Sequence, residues 1–252
     1  MPLLRTLRLR LPPARDGLWS RRLLSLAVAA VIAVAVAAPL LALSRSTTFD
    51  GFACVAWLMF GLHQLGRRWW PRRNGRLAWT ARVAGRDAVE PGLVARRSLA
   101  GWTDLLADLI LVTGTAVVIT SWFPTDREWG RIVRTLLVLA AAAAVGRIAY
   151  LEARFTGRLA LTAGGIRYGS RSYDWSNIDR VSLHKRDGRL NGVRLRPVRW
   201  PSLEPAPVVG GRDTAVPEQR LAAAIEEYRS RPYVLAGGPV TAPEPAAEPA
   251  GR

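Results

Sequence analysis

The stretch "GIRYGSRSYDWSNIDRV", residues 165–181, decides how the chain is read. Ile166 and Tyr168 alternate with polar neighbours, and Tyr173 and Trp175 keep the beat up to a polar corner at Ser176 and Asn177. Period-two alternation is the mark of half-buried β-strands. Upstream, Leu159 and Leu161 alternate in the same way, with "AGG" as the turn between. Downstream, Val181 and Leu183 run into "KRDGR", where Asp187 and Gly188 signal a hairpin, and Val193 and Leu195 make the return strand. Pro197, Pro201, Pro205 and Pro207 then restrict the sheet to short edge pieces or loops. Pro217 suits a helix start, and Leu221, Ile225 and Tyr228 define one face of a helix ending near Pro232. Residues 155–232 therefore read as a small water-facing module of short strands closed by one helix. Residues 233–252, rich in Pro, Ala and Glu, read as a disordered tail.

What precedes the module is built differently. The 252 residues are 50% hydrophobic yet carry a net charge of +17, and the apolar mass falls in four runs at about 23–43, 49–65, 103–123 and 131–151. About 20 apolar residues span a bilayer core. A signal peptide is the rival reading of the first run, but its apolar region would be only about 7–15 residues long. The second run is the weakest, with Asp50, His63 and Gln64 near its ends. Arginines orient the spans. They crowd the segment 1–22 and the connection 66–101, whereas the short connections 44–50 and 124–130 hold only Arg45 and Arg127. Four spans in two hairpins, with both termini and the Arg-rich loop 66–101 in the cytoplasm, satisfy every segment. Dropping the second span would strand that loop outside. Trp19, Trp69, Trp70, Trp102, Trp122 and Trp129 all fall near span ends, as interfacial indoles do. The expected architecture is α+β: a four-helix transmembrane region, 23–151, plus the cytoplasmic module. Heavy use of Arg, Ala, Gly, Val and Pro points to a GC-rich bacterial genome, hence to a multi-pass protein of a bacterial cytoplasmic membrane.

Ionisable groups within spans are functional candidates because desolvating them is costly. Asp104 and Asp108 share one face of the third run, and Asp108 and Arg147 are expected at similar depth, where they can pair. A proton or ion relay is the functional reading of that pair, and a structural ion pair with snorkelling is the simpler one. "GRLAWTA" at 75–81 and "GRLALTA" at 157–163 follow the two helix pairs at the same offset, which raises an internal duplication. The segment after the first copy shows no comparable strand pattern and reads as a loop turned to anionic headgroups. No phosphate-binding loop, nucleophile elbow or zinc-protease helix occurs, and the sole cysteine, Cys54, precludes an intrachain disulfide. No catalytic, cofactor or metal residue is expected, and no nucleic-acid partner, since the positive-inside pattern accounts for the arginines.

The module resembles the bacterial PH-like domains of actinobacterial membrane proteins. "GI" at Gly165 and Ile166, followed by Trp175 and Ile178 in a W-x-x-I step into the next strand, carries the resemblance, with the closing helix at 217–231. It implies a PH-like barrel or half-barrel with Ile166, Trp175 and Ile178 in its core, and no catalytic activity. The turn at 162–165 lacks the cations by which phosphoinositide-binding relatives hold a headgroup there. Lys185, Arg186 and Arg189 form the other cationic turn, a contact for anionic lipid or a protein partner. The expected function is a non-enzymatic membrane protein presenting this module. The alternatives are a small transporter or channel component using Asp108 and Arg147, and an assembly subunit packing through the small residues of 140–146.

Overall fold

A computed structural model describes residues 18–43, 59–61, 63, 73–85, 88–186, 188–199 and 205–243. Three helices are long and apolar enough to cross a membrane: α1 (Leu18–Leu43), α2 (Leu99–Ser121) and α3 (Glu128–Arg154). The expected four-helix region is thereby corrected to three candidate spans among the described residues. Of the run 49–65, residues 59–61 and 63 are helical and the others lie outside the described residues.

α3 is the central helix, with α1 and α2 both packed on it. Its buried residues Val138, Ala141, Ala142, Val145 and Gly146 recur at helical spacing along one stripe. At Gly146 a Cβ would stand 3.2 Å from the Ala33 Cβ and 3.3 Å from the Ala29 carbonyl oxygen. α1 of the same chain therefore occupies the Gly146 end of the small-residue face that sequence reasoning offered to a foreign helix. At the far end, buried Arg134 donates from Nε to the Phe123 carbonyl at 2.7 Å and ties down the α2–α3 turn.

The module holds two antiparallel sheets. The first has the order β1 (Ala78–Ala84), β2 (Val89–Ala95), β3 (Leu159–Thr162), β4 (Gly165–Tyr168), β5 (Arg171–Asp174). The second has β6 (Ile178–Arg186), β7 (Arg189–Pro197) and β8 (Val208–Val209), with helix α4 (Glu218–Ser230) against β6 and β7. The expected hairpin, the Pro217 boundary and the buried Leu221, Ile225 and Tyr228 of α4 all appear.

The loop 66–101 needs correction, because it supplies β1 and β2. A ladder of facing residues runs through all five strands: Trp79, Leu93, Leu161, Ile166 and Tyr173. Pro91 hid this arrangement, since proline is normally barred from a central strand. It falls opposite the register shift between Thr80 and Val83, where a bulge leaves no ladder bond for its missing N–H to break. The two "GRLA" echoes begin β1 and β3 of the same sheet, and Leu77 and Leu159 both enter one core.

That core also contains Ile166, Trp175, Ile178, Val193, Leu195, Leu221 and Ile225. Trp175 opens a single 3-10 turn between the two sheets and donates from Nε1 to the Thr162 carbonyl at 2.8 Å. The tail expectation is corrected in part. A 3-10 turn at Pro232–Ala236 buries Leu235, Val240 and Ala242 pack on the core, and the Tyr228 hydroxyl donates to the Thr241 carbonyl at 3.2 Å. The tail beyond 243 lies outside the described residues.

Candidate functional site: the seam between helices and module

The described ends of the helices and the module meet around the first turn of α2. Ser98 caps that helix, its Oγ accepting from the Gly101 N–H at 2.9 Å, while its own N–H donates to the Asp213 carbonyl at 2.9 Å. The Ala215 N–H donates to the Arg96 carbonyl at 2.9 Å. Gly101 permits this approach, because a Cβ there would lie 2.8 Å from the Asp213 carbonyl oxygen. The loop at 210–215 is thus fixed on the start of α2.

Charged side chains cross the seam. Arg97, before α2, pairs with Glu152 near the end of α3. Arg158, before β3, donates to Asp213 at 3.1 Å and lies 3.8 Å from Glu152. Arg212 reaches Asp104 in α2 at 3.3 Å, and His63 Nδ1 stands 3.8 Å from the same carboxylate oxygen. Burial opposes the charge on Arg158, but Asp213, Tyr168 and Glu152 more than offset it, and its pKa moves up. Arg167 has no carboxylate within ion-pair distance among the described residues. It donates to the carbonyls of Thr156, Gly157 and Gly169 and sits over the Phe155 ring, 5.1 Å from its centroid. Burial, then the nearby charges of Arg21 and Arg158, lower its pKa to about 10.

The Tyr168 hydroxyl donates to Asp213 at 2.7 Å. Burial, reinforced by the Asp213 carboxylate, pushes its pKa well above the ordinary phenol value. The sign follows from the neutral form being favoured in the folded state. The stabilisation is complete below pH about 10 and is lost as pH rises through the higher folded value. A tyrosinate absorbance titration should therefore lose amplitude in Tyr168→Phe only from the most alkaline step. Loss from the step near pH 10 would contradict the contact.

Along the seam lies a half-open cavity of about 400 Å³ lined by residues of α2 and α3, by His63, and by the β4–β5 turn and Asp213 of the module. Asp108 lines it. Arg147 does not: it is exposed on α3, and no ion pair joins the two among the described residues. The sequence placed Asp108 and Arg147 at similar depth, but depth does not fix the angle around a helix. Ile148, Leu151 and Glu152 form the α3 wall, and Arg147 lies about a quarter turn from its middle. Lys185, Arg186 and Arg189 are exposed at the β6–β7 tip, and Ile166, Trp175 and Ile178 are core. The partners Arg97, Glu152, Arg158, Arg212 and Asp213 escaped sequence reasoning because no local spacing links them. The one available signal was "GGRD" at 210–213, a glycine pair that bends the chain to present two charges.

No protein-family model, curated protein or solved structure matches the chain.

Proposed function

We propose that this chain is a non-enzymatic, multi-pass protein of a bacterial cytoplasmic membrane, with both termini in the cytoplasm, whose PH-like module contacts anionic lipid through the β6–β7 tip. Two antiparallel sheets sharing one core with a closing helix, and the burial of Ile166, Trp175 and Ile178, support the PH-like reading.

One observation carries the lipid contact. Asn191, two residues past Arg189 on β7, accepts from the Arg212 N–H at 3.2 Å, and Arg212 in turn reaches Asp104 in α2. The exposed tip with Lys185, Arg186 and Arg189 therefore emerges close to the helix ends, where each cation near an anionic surface contributes about 1 kcal/mol. A protein partner is the second reading. It rests on β5, an edge strand of the first sheet with exposed residues that can accept another strand. A relay through Asp108 and Arg147 is not proposed.

Lys185 is the only lysine in the chain, which makes it a reporter. With the whole protein in nanodiscs, amine-reactive labelling of Lys185 is expected to slow severalfold when phosphatidylglycerol replaces part of the phosphatidylcholine. High salt should restore the rate, and an Arg186→Gln/Arg189→Gln variant should lose most of the protection. Equal labelling in both lipid compositions refutes the contact.

A further inference from the structure

The His63 side chain is only 7% exposed and lines the seam cavity. Its one polar approach among the described residues is the 3.8 Å to Asp104, beyond hydrogen-bond reach. The imidazole lines the cavity and takes no protein hydrogen bond among the described residues, so a group in the cavity can complete it. Asp104 and Asp108, one turn apart on the same face of α2, present carboxylates to the same space. Asp104 is shared with Arg212, while Asp108 takes no ion pair among the described residues.

The cavity is also amphipathic. Leu105, Ile148 and Leu151 make an apolar wall on the helices, and Arg158 and Ser170 bring hydrogen-bond donors on the module side. Its volume of about 400 Å³ lies within the range of small-molecule sites. The described acceptors do not group into a metal cluster. They do match an alkylammonium ion, which offers three N–H donors and one positive charge to two carboxylates and an imidazole ring nitrogen.

We propose that this cavity binds the primary ammonium of an aminophospholipid headgroup of the ethanolamine type. The ammonium donates to Asp108, Asp104 and His63. The phosphate turns to Arg158 and Ser170, and the acyl chains leave along Leu105, Ile148 and Leu151. A soluble primary amine shares the ammonium chemistry but has no use for the apolar wall. A choline headgroup has the charge and none of the N–H donors.

The test uses the full chain in detergent, titrated with phosphatidylethanolamine, phosphatidylcholine and phosphatidylglycerol of identical acyl chains, with retained lipid counted by native mass spectrometry. Ethanolamine lipid should be held at least about tenfold more tightly than choline lipid, the worth of one charge-assisted hydrogen bond. Asp108→Asn should remove most of that preference. Phosphatidylglycerol retention should stay as in wild type, which shows that the variant is folded. His63→Gln serves as a second variant on a different element and should also reduce the preference. Ethanolamine added alone should compete only weakly with the lipid. Competition as strong as the lipid's own binding would support the ammonium site and assign it to a soluble amine. Equal retention of ethanolamine and choline lipids by wild type overturns the proposal, and so does a preference that survives both substitutions.

Discussion

Trp175→Ala is expected to cost the module about 3–5 kcal/mol, the range for removing a large buried aromatic side chain. Trp175 is 8% exposed and stands where the five-stranded sheet hands over to the three-stranded one. Its ring fills the core that both sheets share with α4, and its Nε1–H satisfies the Thr162 carbonyl at the β3–β4 turn. Truncation opens a cavity in that core and leaves the carbonyl without its partner. Trp175→Phe separates the two effects: most of the apolar surface stays buried, the hydrogen bond goes, and the expected loss falls to about 1–2 kcal/mol. Pulse proteolysis of the full chain across a urea series measures both. An alanine variant within about 1 kcal/mol of wild type would show that the tryptophan is not the corner on which the sheets close.

The second large effect is expected at Glu152. It pairs with Arg97, whose side chain is 9% exposed, and also approaches Arg158. Glu152→Ala leaves Arg97 with the Gly101 carbonyl, at 2.9 Å, as its remaining acceptor among the described residues, beneath the Trp102 ring. Breaking a buried pair from one side costs about 3–5 kcal/mol. Glu152 is 30% exposed, so solvent reduces the expected loss to about 2–3 kcal/mol. The double variant Arg97→Met/Glu152→Leu should recover much of it, because it removes the cation that Glu152→Ala leaves without its carboxylate. Thermal unfolding followed by tryptophan fluorescence closes the cycle. If the double variant is no more stable than Glu152→Ala, the loss does not come from the stranded charge.

These two residues also mark what the sequence could and could not tell. Trp175, with Ile166 and Ile178, was legible because a period-two pattern exposes strands and their buried face within a few residues. The α4 boundaries were legible for a similar reason, a proline at the start and apolar residues at helical spacing. Glu152 was not, since its partners stand at Arg97 and Arg158 and only the folded chain brings all three together. β1 and β2 were missed for a local reason: Pro91 and Gly92 in the middle of β2 look like a break unless the bulge opposite is known. The Asp108–Arg147 pairing failed on rotation, which hydropathy and span length leave undetermined.

The interleaving of β1–β2 with β3–β5 has a consequence for how the protein is made. A ribosome delivers the β1–β2 hairpin first, then both long apolar helices α2 and α3, and only afterwards the strand β3 that pairs with β2. The inner edge of β2, with buried Leu93 and Ala95, must therefore wait with its backbone unpaired until both helices have been made. Completion of the sheet becomes a read-out of whether the α2–α3 hairpin has formed and brought β3 back to β2. A chain that stalls there exposes a sticky strand to its neighbours, which makes that interval the vulnerable moment of biogenesis.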